Sequence, residues 1–334
     1  MVKEKILSGE TYLGIELGST RIKACLIDDT YAPIANGSYE WENKLENGYW
    51  TYDIEEVHTG VRKAFSSLSS DVFAKYGITL AKVAAIGISG MMHGYLAFDK
   101  NMKLLTPFRT WRNTTTKEAA EKLCTLFNFN IPLRWSISHL YQAILSNEPH
   151  VPEIAHITTL SGYVHYLLTG KLELGICEAS GMFPISGNDY DSIMLDKFSA
   201  LPECKKLPFD IRDILPKVKL CGDSETTLTD SGARFLDESG YLQSGIPVCP
   251  PEGDAGTGMV ATNSVNPRTG NISAGTSVFS MLVLDKPLRN MYSEVDVVMT
   301  PDAFPVAMIH SNNGCSELDA WVNIFGEFAK LTGT

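Results

Sequence analysis

The sequence predicts an α/β protein, on three observations. Two strand-like runs, Tyr12 to Leu17 and Ile22 to Asp28, flank the turn Gly18-Ser19-Thr20 and read as a β-hairpin. Asp53 then sits where an N-cap belongs, followed by Glu55 and Glu56 in a first helical turn and by Val57, Val61 and Phe65 on one apolar face. Third, Val83 to Ser89 is the continuous apolar run of a buried strand. A chain of 334 residues, 44% of them hydrophobic, can support about two domains with substantial cores.

Composition narrows the function. A formal net charge of −11 argues against a nucleic-acid partner, although a local basic pocket for phosphate is compatible with it. No apolar run reaches the length of a membrane span, and the opening MVKEKILSGE lacks the apolar core of a signal peptide, so a cytoplasmic protein with no membrane partner is expected. The seven cysteines are scattered and never form a CxxC pair, which indicates neither a disulfide framework nor a zinc site.

Taken in order, residues 1–10 read as a tail. In the hairpin, Glu16 ends the first strand and Lys23 lies just beyond the turn, so that acid, glycine, hydroxyls and amine together suit a metal ion and a polyphosphate. An ordinary surface turn is the alternative. Tyr31 to Glu46 is expected as a third strand and a polar turn. The run Val83 to Ser89 ends in Gly90-Met91-Met92-His93-Gly94, beyond the carboxyl end of a strand, where open α/β sheets bind ligands. His93 there is either a hydrogen-bonding partner for a hydroxyl or a structural histidine. Trp111, Arg112 and Asn113 precede a helix expected from Lys117 with Thr114 or Thr115 as its cap. Trp111 is a flat platform for a sugar or a cover for the core's edge. Asn130 to Gly170 reads as helical, and Glu178, among the small residues of GICEASGMFPI, either grips a hydroxyl pair or is solvated.

Ile246 to Cys249 is expected as a short strand leading into the densest stretch, Pro250 to Ser277. There Asp254 precedes small residues that can start a tightly packed helix, and a polar strand from Asn271 runs into a second glycine-hydroxyl turn, Gly275-Thr276-Ser277. An acid beside a phosphate cradle suggests phosphoryl transfer; a plain helix cap followed by a plain turn is the competing reading. Val278 to Leu284 and Val306 to His310 read as strands, Asn312-Asn313-Gly314 as a turn, and Ser316 to Leu331 as an amphipathic helix with Leu318, Trp321, Val322 and Phe325 on one face.

The segments GIELGSTRIK, GISGMMHG, TWRN, EGDAGTG, NISAGTS and NGCSELDAW, in this order, resemble the FGGY family of carbohydrate kinases, with GMMHG and EASGM most like its xylulokinase branch. The resemblance implies a ribonuclease H-like fold of the actin and hexokinase superfamily, a mixed sheet with flanking helices. Residues 11–264 would be a sugar-binding domain and residues 265–334 the truncated opening of a second, ATP-binding domain of the same type. It implies Asp254 as the catalytic base and a further substrate contact, Met92, His93, Trp111, Asn113 and Glu178 at the sugar, and Glu16 at Mg²⁺. Gly18, Ser19, Thr20, Lys23, Gly275, Thr276 and Ser277 would lie at the phosphates of ATP. Glu16 and Asn113 depart from the pattern, since related kinases commonly carry Asp at both places. A small-molecule sugar, a ketopentose such as xylulose, is the implied partner, and a homodimer is left open. A non-catalytic sugar-binding relative and a glycerol-type polyol kinase are the alternatives.

Overall fold

The computed structural model describes residues 2–223, 225–274, 278–311 and 314–333. Residues expected as a tail instead form helix α1 (Val2–Ser8), because Ile6 buries into the main core and Lys5 pairs with Asp28 and Asp29. Strands β1 (Tyr12–Leu17), β2 (Arg21–Ile27) and β3 (Pro33–Glu40) follow as an antiparallel meander. Helix α2 (Ile54–Tyr76) starts as the sequence predicts: the Asp53 side chain accepts from the Glu55 N–H at 2.9 Å. Its apolar residues Val57, Val61, Ala64, Phe65 and Leu68 pack on β2 and β3. The packing is close enough to require Gly37, where an added Cβ would stand 2.1 Å from the Ala64 carbonyl oxygen.

Strand β4 (Ala85–Gly90) pairs parallel with β1. The segment after it contains helices α3 (Lys117–Phe127), α4 (Ser136–Leu145), α5 (Leu160–Thr169) and the short α6 (Ile176–Ser180). The cap position of α3 is Thr116 rather than Thr114 or Thr115, and its hydroxyl donates to the Leu133 carbonyl instead of closing the helix. Strand β5 (Glu252–Gly253) joins β4 in parallel, completing the order β5-β4-β1-β2-β3. The strand expected at Ile246 to Cys249 makes only isolated bridges, Val248 to Ile86 and Pro247 to Thr227. Pro247, Pro250 and Pro251 lack the N–H donors a ladder needs, so pairing resumes only at Glu252.

Helix α7 (Asp254–Ala261) leaves β5 directly. Beyond it, β6 (Gly270–Ala274), β7 (Val278–Val283), β8 (Asp296–Met299) and β9 (Pro305–Ser311) form an antiparallel sheet in the order β6-β7-β9-β8, followed by α8 (Cys315–Thr332). The sheet's buried residues Met281, Val283, Val298, Val306 and Met308 belong to the same core as Met92, Leu140 and Phe183. Arg134 pairs with Asp296, and the Asn130 amide donates to the Asp296 carboxylate at 2.9 Å. The four apolar residues expected on one face of α8 are all at least 54% exposed, so that face packs on nothing among the described residues. The turns expected at Gly275-Thr276-Ser277 and at Asn312-Asn313 lie outside the described residues.

Replacing Gly37 by Ala is expected to cost about 1–3 kcal/mol in urea unfolding, the usual penalty for overpacking. Gly87→Ala, whose Cβ would meet nothing within 4 Å, serves as control and should leave stability unchanged or slightly higher.

Candidate active site

Because strand side chains alternate and directly paired residues share a face, the ladder registers align four polar residues: Lys23, Glu16, Ser89 and Glu252, across β2, β1, β4 and β5. The opposite face carries Ile22, Leu17 and Leu13 into the core. Lys23 donates to Glu16 at 2.9 Å, an exposed pair worth under about 1 kcal/mol. The Ser89 hydroxyl meets the Thr257 hydroxyl at 2.8 Å and so fastens α7 to the sheet.

Asp254 is the first residue of α7. Its side chain is exposed to solvent at the start of the helix. Desolvation by the neighbouring protein, with Glu16 nearby, pushes its carboxyl up to about 6, against the pull of N–H groups donated by Ala255 and Met92. The approach needs Gly253, where a Cβ would lie 2.2 Å from Met92 Cγ and 2.7 Å from Glu178 Oε2. Glu178, fully buried on α6, accepts from the Ser161 hydroxyl at 3.1 Å through Oε1, while its Oε2 has no partner among the described residues. Burial, reinforced by Asp254, holds its carboxyl well above the usual range.

His93 adopts a left-handed φ of 69°. Its Nδ1 donates to the Gly181 carbonyl at 3.1 Å, which leaves Nε2 as the acceptor of a neutral ring; burial pushes its pKa down to about 3. In the turn 18–20 the carbonyls are consumed. Gly18 O accepts from Trp41 Nε1, Ser19 O from the Tyr52 hydroxyl, and Thr20 O from the Trp41 N–H. The N–H groups of Ser19 and Thr20 have no partner among the described residues.

The structure therefore brings Glu16, Met92, Glu178 and Asp254 together, with His93 beside Gly181 at the end of α6. Asn113 is used differently from expectation. Its amide accepts from the Trp50 N–H at 2.8 Å and donates to the carbonyls of Trp50 and Thr110, so both its hydrogens hold backbone. Trp111 is half-buried against the main core. A hollow of about 340 Å³ between α2 and residues 236–241 contains none of these residues. Glu252, buried and bonded to α6, was not legible as a site residue: nothing in PPEGD marks which of its two acids is enclosed.

Among the described residues no group of three or more His, Cys, Asp or Glu could alone hold a metal ion. Glu16 beside unpartnered N–H groups suits Mg²⁺ arriving with phosphates, since that ion takes one or two carboxylates and keeps waters. No helix among the described residues is long and apolar enough to cross a membrane.

The fold is shared with solved sugar-kinase structures. The N-terminal domain of the FGGY family of carbohydrate kinases matches residues 11–260, and the chain belongs to that family. The xylulose kinase of Lactococcus lactis is 23% identical over 283 residues, 79% of this chain and 52% of that protein. That of Escherichia coli is 23% identical over 281 residues, 80% of this chain and 53% of that one. The chain thus spans about half the length of these curated relatives. Among solved structures, a xylulose kinase from Brucella ovis superposes with a TM-score of 0.78 at 19% identity, over 95% of this chain and 63% of that one. Glycerol kinase from Plasmodium falciparum with ADP gives 0.73 at 14%, over 93% and 63%.

Asp254 contributes one part of the pH dependence of stability. Its folded pKa, about 6, exceeds the ordinary 3.8, so its contribution is fully present below about 3.8 and is lost as pH rises through about 6. Asp254→Asn is expected to raise the melting temperature near pH 7, with the difference vanishing near pH 4, as read by calorimetry.

Proposed function

We propose that the protein phosphorylates a ketose hydroxyl, with ATP and Mg²⁺ as cofactors and xylulose as the first sugar to test. The observation that carries this is Asp254: a carboxylate open to solvent at the start of a helix, beside Glu16 and Met92, with its pKa raised to about 6, in the range where a general base works. ATP would supply the phosphoryl group and Mg²⁺ the neutralisation of phosphate charge. Asp254 takes the proton from the sugar hydroxyl. The Ser19 and Thr20 N–H groups, freed by the tying-back of their carbonyls, receive phosphate oxygens, with Lys23 nearby and Gly275-Thr276-Ser277 as the second phosphate turn. Glu16 holds the metal. His93 Nε2 accepts a sugar hydroxyl, Glu178 Oε2 meets another, Met92 lines the floor and Trp111 a wall. Asn113 acts through the loop it pins rather than by contact. The sheet β6-β7-β9-β8 with α8 belongs to the ATP-binding side in this reading. A cytoplasmic setting and a small-molecule sugar partner go with this reading.

A coupled assay with a panel of ketoses and glycerol tests it. Phosphorylation of a ketopentose is expected, with Asp254→Asn lowering kcat by about 10²–10⁴-fold and leaving sugar affinity nearly unchanged. Sugar binding without phosphorylation in the intact protein would overturn the kinase assignment.

A further inference from the structure

We infer that Glu252 is a positioning residue: its side chain caps the short helix α6 from a neighbouring strand and so sets Glu178 and the His93 acceptor against Asp254. Helix α6 has no cap of its own, because its N-cap residue is Gly175. Glu252, two residues before Asp254 in the chain, fills that role from β5. Its Oε2 accepts the Glu178 N–H at 3.1 Å, while its buried Oε1 has no partner among the described residues. The Glu178 N–H is one of the donors that a helix start leaves unsatisfied.

The neighbouring residues are built around this contact. A Cβ on Gly175 would stand 2.1 Å from Glu252 Cδ, so the glycine makes the space the carboxyl occupies. Glu252 itself is 6% exposed and directly opposite Ser89 in the β4–β5 ladder, which fixes where its side chain departs. At the other end of α6, the Gly181 carbonyl accepts a hydrogen bond from His93 Nδ1–H, and the Ser180 hydroxyl accepts the Met299 N–H at 3.0 Å. One cap therefore holds a five-residue helix that carries Glu178, orients His93 and meets β8. The function of the contact is acceptance of hydrogen bonds, so a neutral amide of the same shape should replace it and a shorter acid should not.

Only the sugar-binding arm of the test rests on the kinase reading. Hydrogen exchange of residues 176–181, read by mass spectrometry on the full chain, is to be compared in wild type, Glu252→Ala, Glu252→Asp, Glu252→Gln and Gly175→Ala, with calorimetric titration of D-xylulose on each. Loss of a buried acceptor should speed exchange in this segment by about tenfold and weaken xylulose binding by a similar factor in the Ala, Asp and Gly175→Ala variants, with Gln close to wild type. Unchanged exchange at 176–181 in Glu252→Ala, equal acceleration throughout the chain, or failure of Gln to restore protection would overturn the inference. If wild type binds no xylulose, the sugar assignment fails and the exchange result still decides the role of Glu252.

Discussion

The acid cluster depends on two positions that carry no side chain. Gly253 lets β5 run against Met92 and the Glu178 carboxyl, and Gly175 lets the Glu252 carboxyl reach the start of α6. A methyl group at either place would collide at distances near 2 Å, so the sheet, the loop after β4 and α6 could not converge as they do. Convergence in turn decides the electrostatics, because burial of these carboxyls sets their ionisation. The fold's contribution to chemistry is this close meeting of three chain segments distant in sequence.

Three acids in the same neighbourhood are driven to different states. Asp254, with water on one side and N–H donors from Ala255 and Met92, ionises around neutrality. Glu252, buried and bonded to the Glu178 N–H through one oxygen only, is pushed up to about 8. Glu178, fully buried with hydroxyl donors and two acidic neighbours, is held well above its ordinary range. An ionised carboxylate without water is costly unless donors replace the water, and all three acids are shifted upward by desolvation. Separation of this kind lets one group act as base while another remains a neutral carboxylic acid able to donate.

Local signals in the sequence were enough for the elements and for the ordered motifs. The Asp53 cap, the β1–β2 hairpin and the helix at Asp254 form where their residues predict them, since each depends on neighbours within a few positions. Features resting on contacts between distant segments were not legible. Helix α1 depends on Ile6 and Lys5 finding the core and Asp28; the Asn113 amide is tied to both the N–H and the carbonyl of Trp50, more than sixty residues away in sequence. Three prolines broke the strand expected before Asp254, a signal that was present and outweighed by apolar content. Glu252 and Gly175 are informative only as a pair, and nothing in either segment points to the other.

The central claim is that Asp254 is a base whose ionisation gates phosphorylation. The pH profile of kcat/KM for D-xylulose, measured with saturating ATP and Mg²⁺ on the intact protein, tests it most directly. The account predicts an acidic limb with a midpoint near 6, the value to which desolvation raises this carboxyl. A profile flat across that range, or an acidic limb retained unchanged in Asp254→Asn, would contradict it.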